Sequence, residues 1–366
     1  GTSANAAGGG TYPGGGGVAG GGGNNGLLSQ KGSLWDIRKN STNTLASPKS
    51  DAHDANSGSV SPRDFVQRAR AAISSFRRKR QPVDHKTAQN HWKQLLSEWG
   101  TSPRECVTRA RKLATREGIP PTLRAEVWGG LLGNPLRITP KLYDLYLSKV
   151  RADNFAYEAA RALARSHNPE CKGETAALPG EGEIPGLIRT DINRTFANLS
   201  FFQKGCLLHD QLLELLCVYA KYRPDLGYIQ GMSFVAGHLL LYIEDVFMAF
   251  VAFANLLNTP FFCALFKPKG LKHAFNVHYS IHKSLLQQHL PAVASHFAKE
   301  GVKPDMYLLE WVLTLFCRRL RLDTAGRVWD IYLTQGESYV HCVAVGVVKV
   351  LEKQLLDSGF GECLKI

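Results

Sequence analysis

The stretch QKGCLLHDQLLELLCVYAKY, residues 203–222, decides the fold class. Leu208, Leu212, Leu215, Leu216 and Tyr219 recur at three- and four-residue spacing, making one continuous apolar stripe, the period of a helix that buries one face. The same period appears on either side. It predicts further helices near 85–99, 103–116, 121–132, 139–166, 231–257, 271–289, 305–320, 324–333 and 338–357. Only 343–350 is ambiguous: Val343, Val345 and Val347 alternate as a strand would, whereas Val340, Val343, Val347, Val350 and Leu351 fit a helix. With no second strand to pair with, helix is the reading. The expected fold is all-α, a single large domain.

Around that body the composition is uneven. The chain has 366 residues, 44% hydrophobic and 20% charged, the balance of a folded globular chain. Fourteen of its 35 glycines fall in residues 1–32, and residues 1–60 show almost no apolar periodicity. They read as a disordered low-complexity tail, in which GGGVAG at 15–20 satisfies a dinucleotide-binding fingerprint only by composition. Leu34-Trp35-Asp36-Ile37 is the tail's one apolar island. Residues 61–84 read as a basic helical segment starting at Ser61-Pro62, with Phe65, Ala69, Ala72, Ile73 and Phe76 as its stripe. Residues 85–366 form the body, with a long loop from about Ser166 to Pro185.

The formal charge of +13 follows the same division. Residues 61–118 hold 14 Lys/Arg against 5 Asp/Glu, whereas residues 119–366 contribute only +3. A nucleic-acid binder spreads its charge over the fold and adds aromatic side chains or a binding module; neither is present. The run Arg77-Arg78-Lys79-Arg80 reads first as a solvated helix end and second as a contact with anionic membrane lipid through residues 61–80.

Several activities are excluded by what the chain lacks. There is no Gly-Lys dipeptide, hence no phosphate-binding loop, and no G-x-S-x-G or H-E-x-x-H. The eight cysteines form no Cys-x-x-Cys pair and read as free thiols in a reducing compartment. Cys206 and His209 stand three apart, but no second ligand pair follows at zinc spacing. Glu244 and Asp245 interrupt the most apolar stretch, 231–257. Each carboxylate costs about 2.5–3.5 kcal/mol at a bilayer centre, so no transmembrane helix is expected. No charged-then-apolar leader opens the chain, and Gly1 is not expected to be the native start.

Three strings stand out: GIPPTLRAEVW at 118–128, IRTDINRTF at 188–196 and YRPDLGYIQGMSF at 222–234. Ile188, Asp191 and Arg194 are three apart, so they share one arc of a helix; an inward apolar residue anchors an outward Arg. Asp191 can cap or orient the local backbone. Arg223-Pro224-Asp225-Leu226-Gly227 ends one helix, and Gln230, followed by Gly231, falls at the start of the next, where backbone N–H groups favour anions.

In that order the strings resemble the motifs R-x-x-x-W, I-x-x-D-x-x-R and Y-x-Q of the TBC domain of Rab GTPase-activating proteins. They match at Arg124 and Trp128; at Ile188, Asp191 and Arg194; and at Tyr228 and Gln230. WVLTLFCRRL at 311–320 and RVWDIYL at 327–333 extend the likeness over roughly 92–357. Ala197 stands where the family often has Pro, and Ser233 where Asn is frequent. The resemblance implies a two-lobed helical domain whose core motifs span 118–333, cytoplasmic or peripheral on endomembranes and acting in vesicle trafficking. It implies acceleration of GTP hydrolysis by a Rab-type GTPase; the alternative is a non-catalytic scaffold that binds GTPases or membranes. The chain would then be no enzyme by itself and need no cofactor, since GTP and Mg²⁺ belong to the partner. Arg194 would be the arginine finger and Gln230 the water-positioning glutamine finger. Arg124, Trp128, Ile188 and Tyr228 would be scaffolding, with Arg124 in a buried ion pair for which Asp191 is the candidate. Trp311, Trp329 and Asp330 read as packing and helix-termination residues.

Overall fold

The computed structural model describes residue 67 and residues 84–167, 183–266 and 271–365. The expected tail at 1–60, the basic segment at 61–83 (residue 67 apart) and the loop at 168–182 lie outside the described residues. Among the described residues all regular structure is helical.

The helices are α1 His85–Glu98, α2 Pro103–Arg116, α3 Arg124–Leu132, α4 Pro140–His167, α5 Glu183–Arg194, α6 Leu207–Tyr222, α7 Met232–Leu240 and α8 Val246–Leu257. There follow α9 Pro260–Phe266, α10 Leu271–His289, α11 Pro291–Glu300, α12 Leu308–Leu313, α13 Leu322–Gln335, α14 Ser338–Val350, α15 Glu352–Leu356 and α16 Phe360–Cys363. Local chemistry sets many of the ends. The Asp84 side chain accepts from the Thr87 N–H to start α1, and α2 and α11 open on Pro, whose missing N–H costs nothing there. The segment 343–350 is helix.

Three predicted helices break, 338–357 among them, which divides at Leu351 into α14 and α15. The stretch 231–257 splits into α7 and α8 because Asp245 accepts from the Met248 N–H at 3.0 Å and so starts a new helix. The stretch 305–320 keeps only α12. Leu315 and Phe316 beyond it take left-handed φ values of 45° and 63°, which no helix accommodates. The short helices α9, α11 and α16 have no counterpart among the expected ones.

The stripe of α6 buries Leu212, Leu215, Leu216 and Tyr219 against α4, α5, α7 and α8. The buried apolar residues form two clusters. The larger holds Trp92, Trp128, Phe253 and Trp329; the smaller holds Leu285, Val293, Phe297 and Val348 between α10, α11 and α14. No single helix among the described residues is long and apolar enough to cross a membrane. The pair α8 and α9 has the length and composition but bends by 81°, and both helices are buried in the larger cluster. The seven described cysteines are free, five of them buried.

Candidate functional site

Helix α5 has two unlike faces. Ile188 and Ile192 are fully buried and fix the helix on α6, whereas Leu187, Thr190 and Arg194 face solvent. The helix ends at Arg194, and Phe196 just beyond it has φ 47°. The Arg194 guanidinium bonds the Asp191 carboxylate one turn back, while 43% of the Arg194 side chain remains exposed.

Asp191 is buried and serves a second element with its other oxygen. The Tyr228 hydroxyl donates to Asp191 Oδ2 at 2.5 Å. Burial first, and then the Asp191 carboxylate, push the Tyr228 hydroxyl well above the ordinary phenol range, so it acts as a donor throughout neutral pH. Next to it, Thr195 Oγ1 bonds both the Asp191 carbonyl at 2.7 Å and Ser233 Oγ at 2.8 Å. One carboxylate thus ties the end of α5 to the turn before α7. Gln230 stands two residues past Tyr228 and is exposed. Gly231 has φ 102°, a conformation open to glycine and strained for other residues, and it caps α7. The structure therefore holds Arg194 and Gln230 on two elements joined through Asp191.

Arg124 and Trp128 do not belong to that constellation. Arg124 pairs not with Asp191 but with Asp330 of α13, 206 residues away in the chain. The guanidinium meets both Asp330 oxygens at 3.1 Å, and Trp128 Nε1 donates to Oδ1 at 3.0 Å. The remaining Arg124 nitrogen reaches the Tyr242 hydroxyl at 3.0 Å. Asp191 was unavailable because Arg194 and Tyr228 occupy it. Asp330, expected to terminate a helix, sits instead within α13 as the counter-ion of the first motif. Burial pushes its carboxyl upward while Arg124 pulls it back. The bidentate geometry is that of an ionised pair. A lone carboxylate between Trp329 and Ile331 was the available signal, since a buried acid needs a cation. A Cβ on Gly326 would stand 2.5 Å from this guanidinium, so the close helix approach requires glycine there.

Of the other candidates, His209 turns to Asp210 at 2.9 Å rather than to Cys206. Among the described residues no group of three metal-binding side chains occurs. A cavity of ≈ 1030 Å³ lies beside the smaller cluster, between Phe297, Trp311, Val347 and Leu364, and includes neither Arg194 nor Gln230. An exposed Arg and Gln on a rigid helical surface suit a macromolecular partner rather than an enclosed small substrate.

The Rab-GTPase-TBC domain family profile matches residues 121–356. TBC1 domain family member 14 of Homo sapiens is 37% identical over 270 residues, 73% of this chain and 37% of that protein. TBC1 domain family member 12 of Xenopus tropicalis is 37% identical over 67% of this chain and 34% of its own length. The chain thus spans about a third of the length of these relatives. Drainin of Dictyostelium discoideum is 28% identical over 76% of this chain and 69% of its own. Among solved structures, the Chlamydomonas flagellar RabGAP TBC domain superposes with a TM-score of 0.57 at 18% identity, covering 82% of this chain and 88% of that one. The Ypt/Rab-GAP domain of Gyp1p superposes at 0.52 with 17% identity, covering 82% and 90%. At such identities the superpositions bear on the fold alone.

Proposed function

We propose, on the premise that the chain belongs to the Rab-GTPase-TBC domain family, that it accelerates GTP hydrolysis by a Rab-type GTPase and supplies Arg194 and Gln230 in trans. The observation that carries this reading is the double use of Asp191, which holds the exposed Arg194 on α5 and the Tyr228 turn that presents Gln230. The partner holds GTP, Mg²⁺ and the attacking water. On docking, Arg194 turns from Asp191 toward the β- and γ-phosphates, where its positive charge meets the negative charge that builds up as the bond breaks. Asp191 then keeps its bond from Tyr228 on Oδ2 but gives up its cation on Oδ1, a cost that docking must offset. Gln230 offers an amide whose oxygen accepts from the attacking water and whose nitrogen donates. An arginine finger contributes on the order of 10³–10⁵ in rate, equivalent to about 4–7 kcal/mol of transition-state stabilisation.

The test is single-turnover phosphate release from a panel of GTP-loaded Rab proteins, with and without the chain. Acceleration of at least one member, abolished by Arg194→Ala in a folded protein, supports the reading. Binding without acceleration of any member overturns it in favour of a scaffold.

A further inference from the structure

Beyond the three motifs, the segment 310–320 is built at unusual cost beside Gly231. Leu315 and Phe316, both buried, are consecutive left-handed residues with φ 45° and 63°. Each such residue costs about 1–3 kcal/mol and persists only where its surroundings enforce it. The turn bears on the neighbour of Gln230: a Cβ on Gly231 would stand 3.4 Å from Thr314 Cγ2. The turn then presents two adjacent arginines. Glu310 accepts from Arg319 through both oxygens at 3.0 Å and forms an ion pair with Arg318, whose Nε lies 3.1 Å from Oε1. The Arg318 guanidinium lies 5.5 Å from the centre of the Phe234 ring, and that ring packs 5.3 Å from Phe196, two residues past Arg194. The two arginines are held in place yet remain 37% and 52% exposed. One carboxylate offsets two guanidiniums, so the edge keeps a net charge of +1.

We propose that Arg318 and Arg319 form a recognition edge beside Gln230 that docks on surface carboxylates of the partner GTPase. This rests on the proposed function. There Arg194 addresses the phosphates, which leaves the protein's own acidic side chains as the anion for this edge. Planar, weakly hydrated guanidiniums already oriented by Glu310 suit such pairing, because little side-chain entropy remains to be lost.

The test uses the panel GTPase most accelerated by the chain, loaded with a non-hydrolysable GTP analogue, and measures association rate and affinity from low to high salt. Arg318→Gln/Arg319→Gln should weaken binding about tenfold at low salt, chiefly through the association rate, with the difference narrowing as salt rises. Glu310→Gln raises the edge from +1 to +2 and should speed association, a sign opposite to that of a merely structural lesion. Circular dichroism checks the fold, and Glu310→Gln carries the decision should the double variant unfold. Parent-like association by both variants, or slowing by both that is independent of salt, overturns the recognition edge. The two readings separate through phosphate release at saturating GTPase, where Arg194→Ala should still lose stimulation and Arg318→Gln/Arg319→Gln should recover it. If no panel member is accelerated, the proposed function falls and this inference falls with it.

Discussion

Asp330→Ala should be among the most damaging single changes in the protein, although Asp330 lies outside the three motifs. It removes the acceptor of three hydrogen bonds, two from Arg124 at 3.1 Å and one from Trp128 at 3.0 Å. It also strands the Arg124 guanidinium, whose side chain is only 5% exposed. Trp128, Tyr242 and the fully buried His238 surround the site, and none offers a second negative charge. Removing one partner of a buried pair costs about 3–5 kcal/mol, mostly the desolvation of the charge left behind. That is roughly two to four powers of ten in the folding equilibrium. Removing both charges should restore most of it, so Arg124→Met/Asp330→Leu is expected to be at least about 2 kcal/mol more stable than Asp330→Ala. The residual deficit comes from the Trp128 N–H without its acceptor, the Tyr242 hydroxyl without its donor and Arg327 without the nearby carboxylate, of which the Trp128 N–H alone is about 1–3 kcal/mol. Urea unfolding of parent, single and double variants, followed by circular dichroism, measures all three. A loss below about 1 kcal/mol in Asp330→Ala, or a double variant no more stable than the single, would refute the buried-pair argument.

Four further outcomes are expected. Arg194→Ala should nearly abolish stimulation of phosphate release. Gln230→Ala should lower it strongly but less completely, since a water or the partner's own glutamine replaces a neutral amide more readily than a charge; equal stimulation by folded Arg194→Ala and parent would remove the arginine-finger assignment. Gly231→Ala should cost about 1–2 kcal/mol from its φ of 102° alone and reduce stimulation by shifting Gln230, as denaturant melts and phosphate release would show together. Acid should unfold the protein early. Burial lowers His238 to about 3, His278 to about 4 and His282 to about 3, so the folded state refuses protons that the unfolded chain accepts below about pH 6.5. Stability is therefore fully present above that pH and lost as pH falls. Each histidine accounts for about 2 kcal/mol between pH 7 and 5. A flat denaturation midpoint across that window would show that these histidines are not buried neutral.

Local chemistry made much of this protein legible in advance. Local pattern placed α2 and α10 at their observed ends, because an apolar stripe, and for α2 an opening Pro, are properties of neighbouring residues. The spacing of Ile188 and Arg194 likewise anticipated one buried and one exposed side chain on α5, whereas the roles proposed for Arg194 and Gln230 rest on the family resemblance. The tertiary structure decided what depends on distant partners. That Arg124 meets Asp330 rather than Asp191 follows from α3 and α13 packing across 206 residues of chain, which no local pattern encodes. That 305–320 yields only a short helix and a strained turn follows from packing around Gly231 and Phe234, which makes left-handed Leu315 and Phe316 worth their cost. The division is physical: backbone propensity and side-chain period act over a few residues, whereas the choice of counter-ion for a buried charge, and of where strain is tolerated, is made by whatever the folded chain brings into contact.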